Sequence, residues 1–220
     1  MTSDDLELAR NLGKELSDWR RWMARLVVLS FAALAGLAVA TFTWLCDSAL
    51  AGFRHLHAWQ GWWPLVWTPA LTAAIVWATR RWCEGAAGSG IPQVLAALDP
   101  GTAPSQRRLF VSLRLSVAKM ILTAGSLLAG LSTGREGPSV QVAAGVMLHA
   151  RRWLPARTSI SAQGLMAAGG AAGVAAAFNT PLGGILFAIE QSLAAARIAL
   201  QRRADHRHRA GRSGGHVDTR

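Results

Sequence analysis

Residues 26–46 read LVVLSFAALAGLAVATFTWLC and carry no charged side chain. Two further uncharged stretches follow, at residues 58–79 and 158–189. A helix of about 20 apolar residues is long enough to cross the roughly 30 Å hydrocarbon core of a bilayer. The sequence therefore predicts an all-α protein that spans a membrane several times.

The composition excludes several other classes of protein. Hydrophobic residues make up 51% of the 220 residues and charged residues only 16%, against roughly a quarter charged in an ordinary soluble domain. The two cysteines, Cys46 and Cys83, are too few for a disulfide-rich secreted module, and both are interpreted as buried small hydrophobes. The sequence shows no nucleophile–base pair, paired carboxylates or metal-ligand spacing, so we expect neither an enzyme nor a cofactor.

The net charge of +11 is concentrated where the hydrophobic stretches end. The clusters are Arg20, Arg21 and Arg25; Arg80 and Arg81; Arg107 and Arg108; and Arg151 and Arg152. Clusters of this kind mark the cytoplasmic loops of membrane proteins. The pattern indicates a lipid bilayer rather than nucleic acid as the partner. It predicts a multi-pass protein of the cell (inner) membrane with a cytoplasmic N-terminus.

Three regions follow from these patterns. Residues 1–20 are predicted to be a cytoplasmic N-terminal segment with an amphipathic helix at 4–18. Residues 21–196 form the predicted transmembrane domain, and its first two spans lie at about 25–48 and 63–79. The basic tail at 197–220 lacks hydrophobic periodicity, and we expect it to be disordered.

The second half of the transmembrane domain is predicted to consist of broken and re-entrant helices. The pattern changes after Arg81, where a short helical piece at 93–98 is followed by a turn-rich loop at 99–105. The further predicted pieces are 107–132, 139–151, 160–178 and 181–196. Small residues dominate 167–173 and allow helices to approach closely in lipid. Irregular backbone at membrane depth is tolerated where protein buries it or a polar cavity lines it. Transporters use such breaks to direct helix N-termini at an anion.

The first motif is the pentapeptide GSGIP at residues 88–92. Its glycines permit close backbone approach, and Pro92 suits the first turn of a helix. Free N–H groups at that helix start, with the Ser89 hydroxyl, would form an anion site. Taken alone, however, the pentapeptide is better explained as an ordinary glycine-rich turn before a helix that begins with proline.

The second motif, GREGP at residues 134–138, places Arg135 and Glu136 between two apolar helices. Ionisable groups at membrane depth are costly and are functional by default. A carboxylate beside an anion site can occupy that site and leave it on protonation. The alternative is a structural ion pair at a helix break, and the pentapeptide alone favours neither interpretation.

The third motif, AAFNTPLGGILFAIE at residues 176–190, joins one helix that ends at Asn179 to another that begins at Pro181. A plain helical hairpin with one interfacial glutamate, Glu190, would have the same spacing. Spacing alone leaves both interpretations open.

In this order the three motifs resemble the signature segments of the CLC family of voltage-gated chloride channels and proton–chloride antiporters, and the resemblance covers about residues 20–196. It implies that the first two motifs contribute to one anion pathway near the middle of the membrane. On this basis the Ser89 hydroxyl coordinates the central chloride, and Gly90, Ile91 and Gly137 complete the anion-binding set. Chloride is then the transported ion rather than a cofactor.

The resemblance assigns the charged residues as well. Glu136 matches the external gating glutamate, which competes with chloride and carries the proton. Lys119 is similar to a helix lysine of the family that makes the pore electropositive, and Arg135 is grouped with it. Two positions depart from the family pattern: Gln191 replaces an internal proton-carrying glutamate, which argues against tight proton coupling, and Gln93 replaces a frequent glutamate.

The family fold consists of two halves of inverted topology with the anion between them, and this chain resembles the first half only. The resemblance therefore implies an incomplete half that does not transport chloride alone. It would work as a homodimer or with a complementary second half. The alternative, from a different class, is a structural or assembly subunit of the membrane that requires a partner half.

Overall fold

The computed structural model of the chain describes residues 19–99, 101–155, 158, 160–191, 193–194 and 197. All regular secondary structure within these residues is helical, which confirms the predicted all-α class. The predicted helix at 4–18 and nearly all of the tail at 197–220 lie outside the described residues.

The first two helices are α1, Trp19–Trp59, and α2, Pro64–Trp82. The helix predicted for the second span, 63–79, is confirmed to within three residues, but α2 does not meet the length and hydropathy criteria for a helix that crosses a membrane. The predicted first span is too short, because α1 has 41 residues and is therefore about 60 Å long. The uncharged stretch ends before Asp47, but the helix continues past it because backbone hydrogen bonding does not depend on apolar side chains.

The remaining helices follow after a short 3-10 turn at Glu84–Ala86. They are α3, Ile91–Leu98; α4, Pro104–Phe110; α5, Leu113–Leu128; α6, Glu136–His149; α7, Ala162–Phe178; and α8, residues 181–191. The predicted pieces at 93–98, 139–151 and 160–178 are confirmed, with starts displaced by two or three residues. In the described residues, α8 agrees with the predicted helix at 181–196.

The single helix predicted at 107–132 is wrong, because the structure divides it into α4 and α5. Val111 and Ser112 between them have extended backbone, and the Ser112 Oγ accepts the Leu115 N–H at 3.3 Å. Ser112 therefore caps a new helix inside an apolar stretch that shows no break in hydropathy. The predicted loop at 99–105 is correspondingly shorter, since α4 begins at Pro104.

Among the described residues, two helical stretches are long and apolar enough to cross a membrane by length and composition. They are Arg21–Trp59 in α1 and Pro104–Leu128, which comprises α4 and α5. Many large apolar side chains lie exposed on the outside of the described residues, among them Leu29, Leu37 and Ile121. This surface suits a protein whose surroundings are lipid.

Helix α6 lies at the centre of the described structure. Every residue from Gly137 to Met147 is buried, and α6 contacts α1, α3, α5 and α7. Helix α7 approaches it at two glycines four residues apart. A Cβ atom at Gly169 would lie 2.7 Å from Ala144 Cα, and one at Gly173 would lie 2.7 Å from Val140 Cα. The predicted close helix approach at 167–173 is therefore confirmed.

Candidate anion site

The first motif forms a tight loop that leads into α3. Gly88 and Gly90 have φ angles of +79° and +108°, which side chains with a Cβ rarely adopt. The Gly90 N–H, predicted to face an anion, donates to Gln93 Oε1 at 3.0 Å, and Gln93 Nε2 donates to the Ala87 carbonyl. Gln93, noted as a departure from the family pattern, thus ties this loop to the first turn of α3.

The second motif begins α6 at Glu136, three residues before the predicted start at residue 139. The Arg135 carbonyl already accepts the Ser139 N–H at 3.0 Å, and the Ser139 hydroxyl donates to it at 2.8 Å. Glu136 and Gly137 therefore lie in the first turn of α6, where backbone N–H groups have no partner within the helix. Pro138 follows them and contributes no N–H group.

The two helix starts are in direct contact. A Cβ atom on Gly137 would lie 2.4 Å from the Ser89 carbonyl oxygen, and one on Gly90 would lie 2.7 Å from the Gly137 carbonyl oxygen. The structure thus brings Ser89, Gly90 and Gly137 together, although the two motifs are 46 residues apart. Ile91, the first residue of α3, is half-buried and packs against the hydrophobic cluster behind the loop. The positive ends of two helix dipoles meet at this point.

Ser89 lies at the exposed edge of this contact. Ser89 is exposed, and no residue in the described part of the chain hydrogen-bonds its side chain. A hydroxyl beside two helix N-termini can donate to an anion without first breaking a protein hydrogen bond.

Glu136 is half-buried and occupies the first position of α6. Its carboxylate is folded back toward the preceding loop, because a Cβ atom at Gly134 would lie 2.7 Å from Glu136 Oε2. A negative charge at this position is favoured by the helix dipole. The Glu136 carboxylate and a bound anion would therefore be attracted to the same positive helix end.

Arg135 forms an ion pair, but with a residue that the sequence analysis did not identify. Its guanidinium donates to the Asp47 carboxylate of α1 at 2.7 Å, and both side chains are largely exposed. The structural ion pair considered at this break is thus present, and it joins α6 to α1. Asp47 lies 88 residues away, so no local pattern indicated the pairing.

Lys119 lies beneath the first motif. Its side chain is 3% exposed, and Nζ donates to the Ala86 carbonyl at 2.7 Å and to the Gly88 carbonyl. No carboxylate among the described residues pairs with it. A buried cation next to the loop that carries Ser89 makes this region electropositive.

Gln141 is a further residue of the site that sequence reasoning missed. It is 1% exposed, and its Nε2 donates to the Gly85 carbonyl at 3.1 Å and to the Phe110 carbonyl at 2.8 Å. It therefore holds the 3-10 turn that precedes the first motif, and the end of α4, against α6. The sequence did contain a signal, namely a single amide side chain in a largely apolar helix. Burial of an amide is costly without hydrogen-bond partners, so its presence there indicates a polar contact.

The third motif packs behind the first two and does not line the contact between them. Asn179 ends α7 with a left-handed backbone, and the Thr180 N–H donates to the Ala175 carbonyl at 3.0 Å. Phe187 of α8 packs against the hydrophobic cluster that also includes Ile91. Glu190 is exposed. Among the described residues no group of three His, Cys, Asp or Glu side chains could hold a metal ion.

Comparison with known proteins identifies relatives of this chain by sequence. The family described as voltage-gated chloride channel matches residues 71–202. An H(+)/Cl(-) exchange transporter ClcA of Klebsiella pneumoniae is 33% identical over 169 residues, which are 75% of this chain and 34% of the relative. The protein of the same name from Citrobacter koseri is 36% identical over 131 residues, which are 59% of this chain and 26% of the relative. The chain thus spans about a third of the length of the curated relatives it matches.

Proposed function

Because this chain belongs to the voltage-gated chloride channel family, we propose that it binds chloride and takes part in chloride transport across a membrane. The observation that carries this proposal is the contact between the starts of α3 and α6, at Gly90 and Gly137. An anion there would receive N–H groups from α6 and the Ser89 hydroxyl. The relatives named as H(+)/Cl(-) exchange transporters support chloride as the anion.

We further propose that Glu136 gates this site. When ionised, its carboxylate competes with chloride for the positive end of α6. Protonation removes the negative charge, and the competition ends. The backbone of Gly137, which follows Glu136 directly, remains available to the anion in both states.

The geometry also supports the proposal that a second polypeptide surface completes the site. Gly88 and Ser89 are both exposed on the open side of the helix contact. An anion bound there would keep one face outside the protein. Removing the water from that face without replacing it costs several kcal/mol. We infer that a second copy of this chain, or a complementary half, covers it.

Flux measurements on protein of defined oligomeric state test the function. The full chain is reconstituted into liposomes, and chloride efflux is followed with a chloride electrode for monomeric and associated fractions. We expect anion-selective efflux from an associated form and none from the monomer. Efflux from demonstrably monomeric protein would contradict the completed site. Folded protein that neither binds nor moves chloride in any form would contradict the function itself.

A further inference from the structure

The outer face of α2 carries an open groove of about 800 Å³ that is separate from the candidate anion site. The groove extends from Thr68 to Arg81, a distance of about 20 Å along a helix axis. That length is close to the thickness of one bilayer leaflet with its headgroup region. Pro69, Ala73 and Val76 give the groove an apolar wall, and its far end is basic.

Two arginines form the basic end. Arg80 and Arg81 both line the groove, both are exposed, and both lie in the last turn of α2. Neither forms an ion pair with a carboxylate in the part of the chain that the structure describes. Guanidinium groups donate to phosphate oxygens with good geometry. The end of the groove therefore offers a site for a phosphate group.

Two tryptophans mark the depth at which this end of α2 meets the headgroups. The rings of Trp77 and Trp82 lie edge to face with centroids 5.0 Å apart, and Trp77 also lines the groove. Tryptophan is enriched at the membrane–water interface, where one part of the ring is apolar and the indole N–H is hydrated. In a bilayer, this apolar groove would run from the hydrocarbon region to a basic end at the interface.

We propose that this groove binds an anionic phospholipid, with the phosphate on Arg80 and Arg81 and one acyl chain along Val76 and Ala73. Charge complementarity favours this occupant over a second copy of the chain. Two copies that met through this face would bring their arginine pairs into the same apolar contact, and like charges there repel. A zwitterionic lipid would satisfy the apolar wall but would leave the net positive charge unbalanced.

Native mass spectrometry of the purified full chain tests the proposal. The protein is mixed with phosphatidylglycerol and phosphatidylcholine that have the same acyl chains, and the retained lipid is measured. We expect the wild-type protein to retain phosphatidylglycerol preferentially. In the double variant Arg80→Gln/Arg81→Gln, we expect the ratio of retained phosphatidylglycerol to phosphatidylcholine to fall about thirty-fold, which is about fivefold for each arginine. The matched control Arg151→Gln/Arg152→Gln removes an exposed pair that does not line the groove and should change little.

A second pair of variants tests the groove itself. Ala73 lines the groove, whereas the neighbouring Ala74 is exposed but does not line it. We expect Ala73→Trp to displace the lipid and Ala74→Trp to leave it bound. Equal retention of both lipids by the wild-type protein would overturn the proposal. Equal retention of phosphatidylglycerol by the two arginine double variants, or by Ala73→Trp and Ala74→Trp, would overturn it as well. Displacement of the lipid by inorganic phosphate alone would also overturn it, because the acyl chain would then contribute nothing.

Discussion

Gly137 is the residue at which the two helix starts touch. A Cβ atom there would lie 2.4 Å from the Ser89 carbonyl oxygen and 3.0 Å from its carbonyl carbon, and backbone atoms cannot move aside as a flexible side chain can. We expect Gly137→Ala to destabilise the folded protein by about 1–3 kcal/mol. It should also weaken chloride binding, because the loop that carries Ser89 must shift. Chemical unfolding in detergent and calorimetric titration with chloride measure the two effects.

Gly36 in α1 supplies the matched control for this substitution. No atom lies within 4 Å of a Cβ placed on it. Gly36→Ala should therefore be neutral, or stabilising by roughly 0.5–1 kcal/mol through helix propensity. If Gly137→Ala unfolded at the same denaturant concentration as Gly36→Ala, the close contact between the two motifs would be refuted.

Lys119 holds the glycine-rich loop through the Ala86 and Gly88 carbonyls. Lys119→Met keeps the length of the side chain but leaves the Ala86 and Gly88 carbonyls without this donor. We expect a loss of about 1–3 kcal/mol in folding stability and faster hydrogen–deuterium exchange at residues 84–90. Arg114→Met is the control, because it removes an exposed cation from the same helix. Equal exchange in the two variants would show that Lys119 does not hold the loop.

Glu136 is expected to act as the gate through its charge. Glu136→Gln mimics the protonated carboxyl group, so it should raise anion flux at neutral pH and flatten the pH dependence of flux in any chloride-conducting assembly. Glu84→Gln, which neutralises an exposed glutamate shortly before the first motif, should leave the pH profile as it is. A Glu136→Gln profile that coincides with the wild-type profile would remove Glu136 from the gate.

At the scale of helices, the architecture depends on the close contact of α6 and α7. A Cβ atom at Gly173 would meet Val140 Cα at 2.7 Å and the Ser139 carbonyl oxygen at 2.9 Å. We expect Gly173→Ala to separate the two helices and to cost about 1–3 kcal/mol. At Gly164, at the start of α7, the nearest atom to a new Cβ would be Ser161 Oγ at 3.3 Å, so Gly164→Ala should be milder. Thermal unfolding of the two variants in one detergent makes the comparison.

Helix boundaries show where sequence patterns stop being informative. Hydropathy predicted α2 and α7 because turn residues or tryptophan clusters mark their ends. It missed the division between α4 and α5 because Val111 and Ser112 interrupt the helix without changing its apolar character. The predicted start of α6 at residue 139 is three residues too late, because a proline at 138 indicates a break before the helix. Pro138 instead lies in the first turn, after Glu136 and Gly137.

At the scale of the whole molecule, the motifs nominate the residues of the candidate site but do not indicate how those residues are held in place. Their order predicted that residues 88–92 and 134–138 contribute to one anion pathway, and their contact in the structure is consistent with that. The long-range supporting contacts could not be predicted, because Asp47 and Gln141 act through partners that only the tertiary structure brings near. A hydrogen bond from Gln141 to Phe110 has no local signature in the sequence.

The central claim is that the starts of α3 and α6 together form an anion site beside the Ser89 hydroxyl. Bromide can replace chloride and scatters X-rays anomalously, so anomalous diffraction from crystals of the Glu136→Gln chain grown in bromide locates the anion directly. We expect a peak within hydrogen-bond distance of Ser89 Oγ and of the backbone N–H groups at the start of α6. A clear bromide peak elsewhere in the protein, with none between the two helix starts, would contradict it.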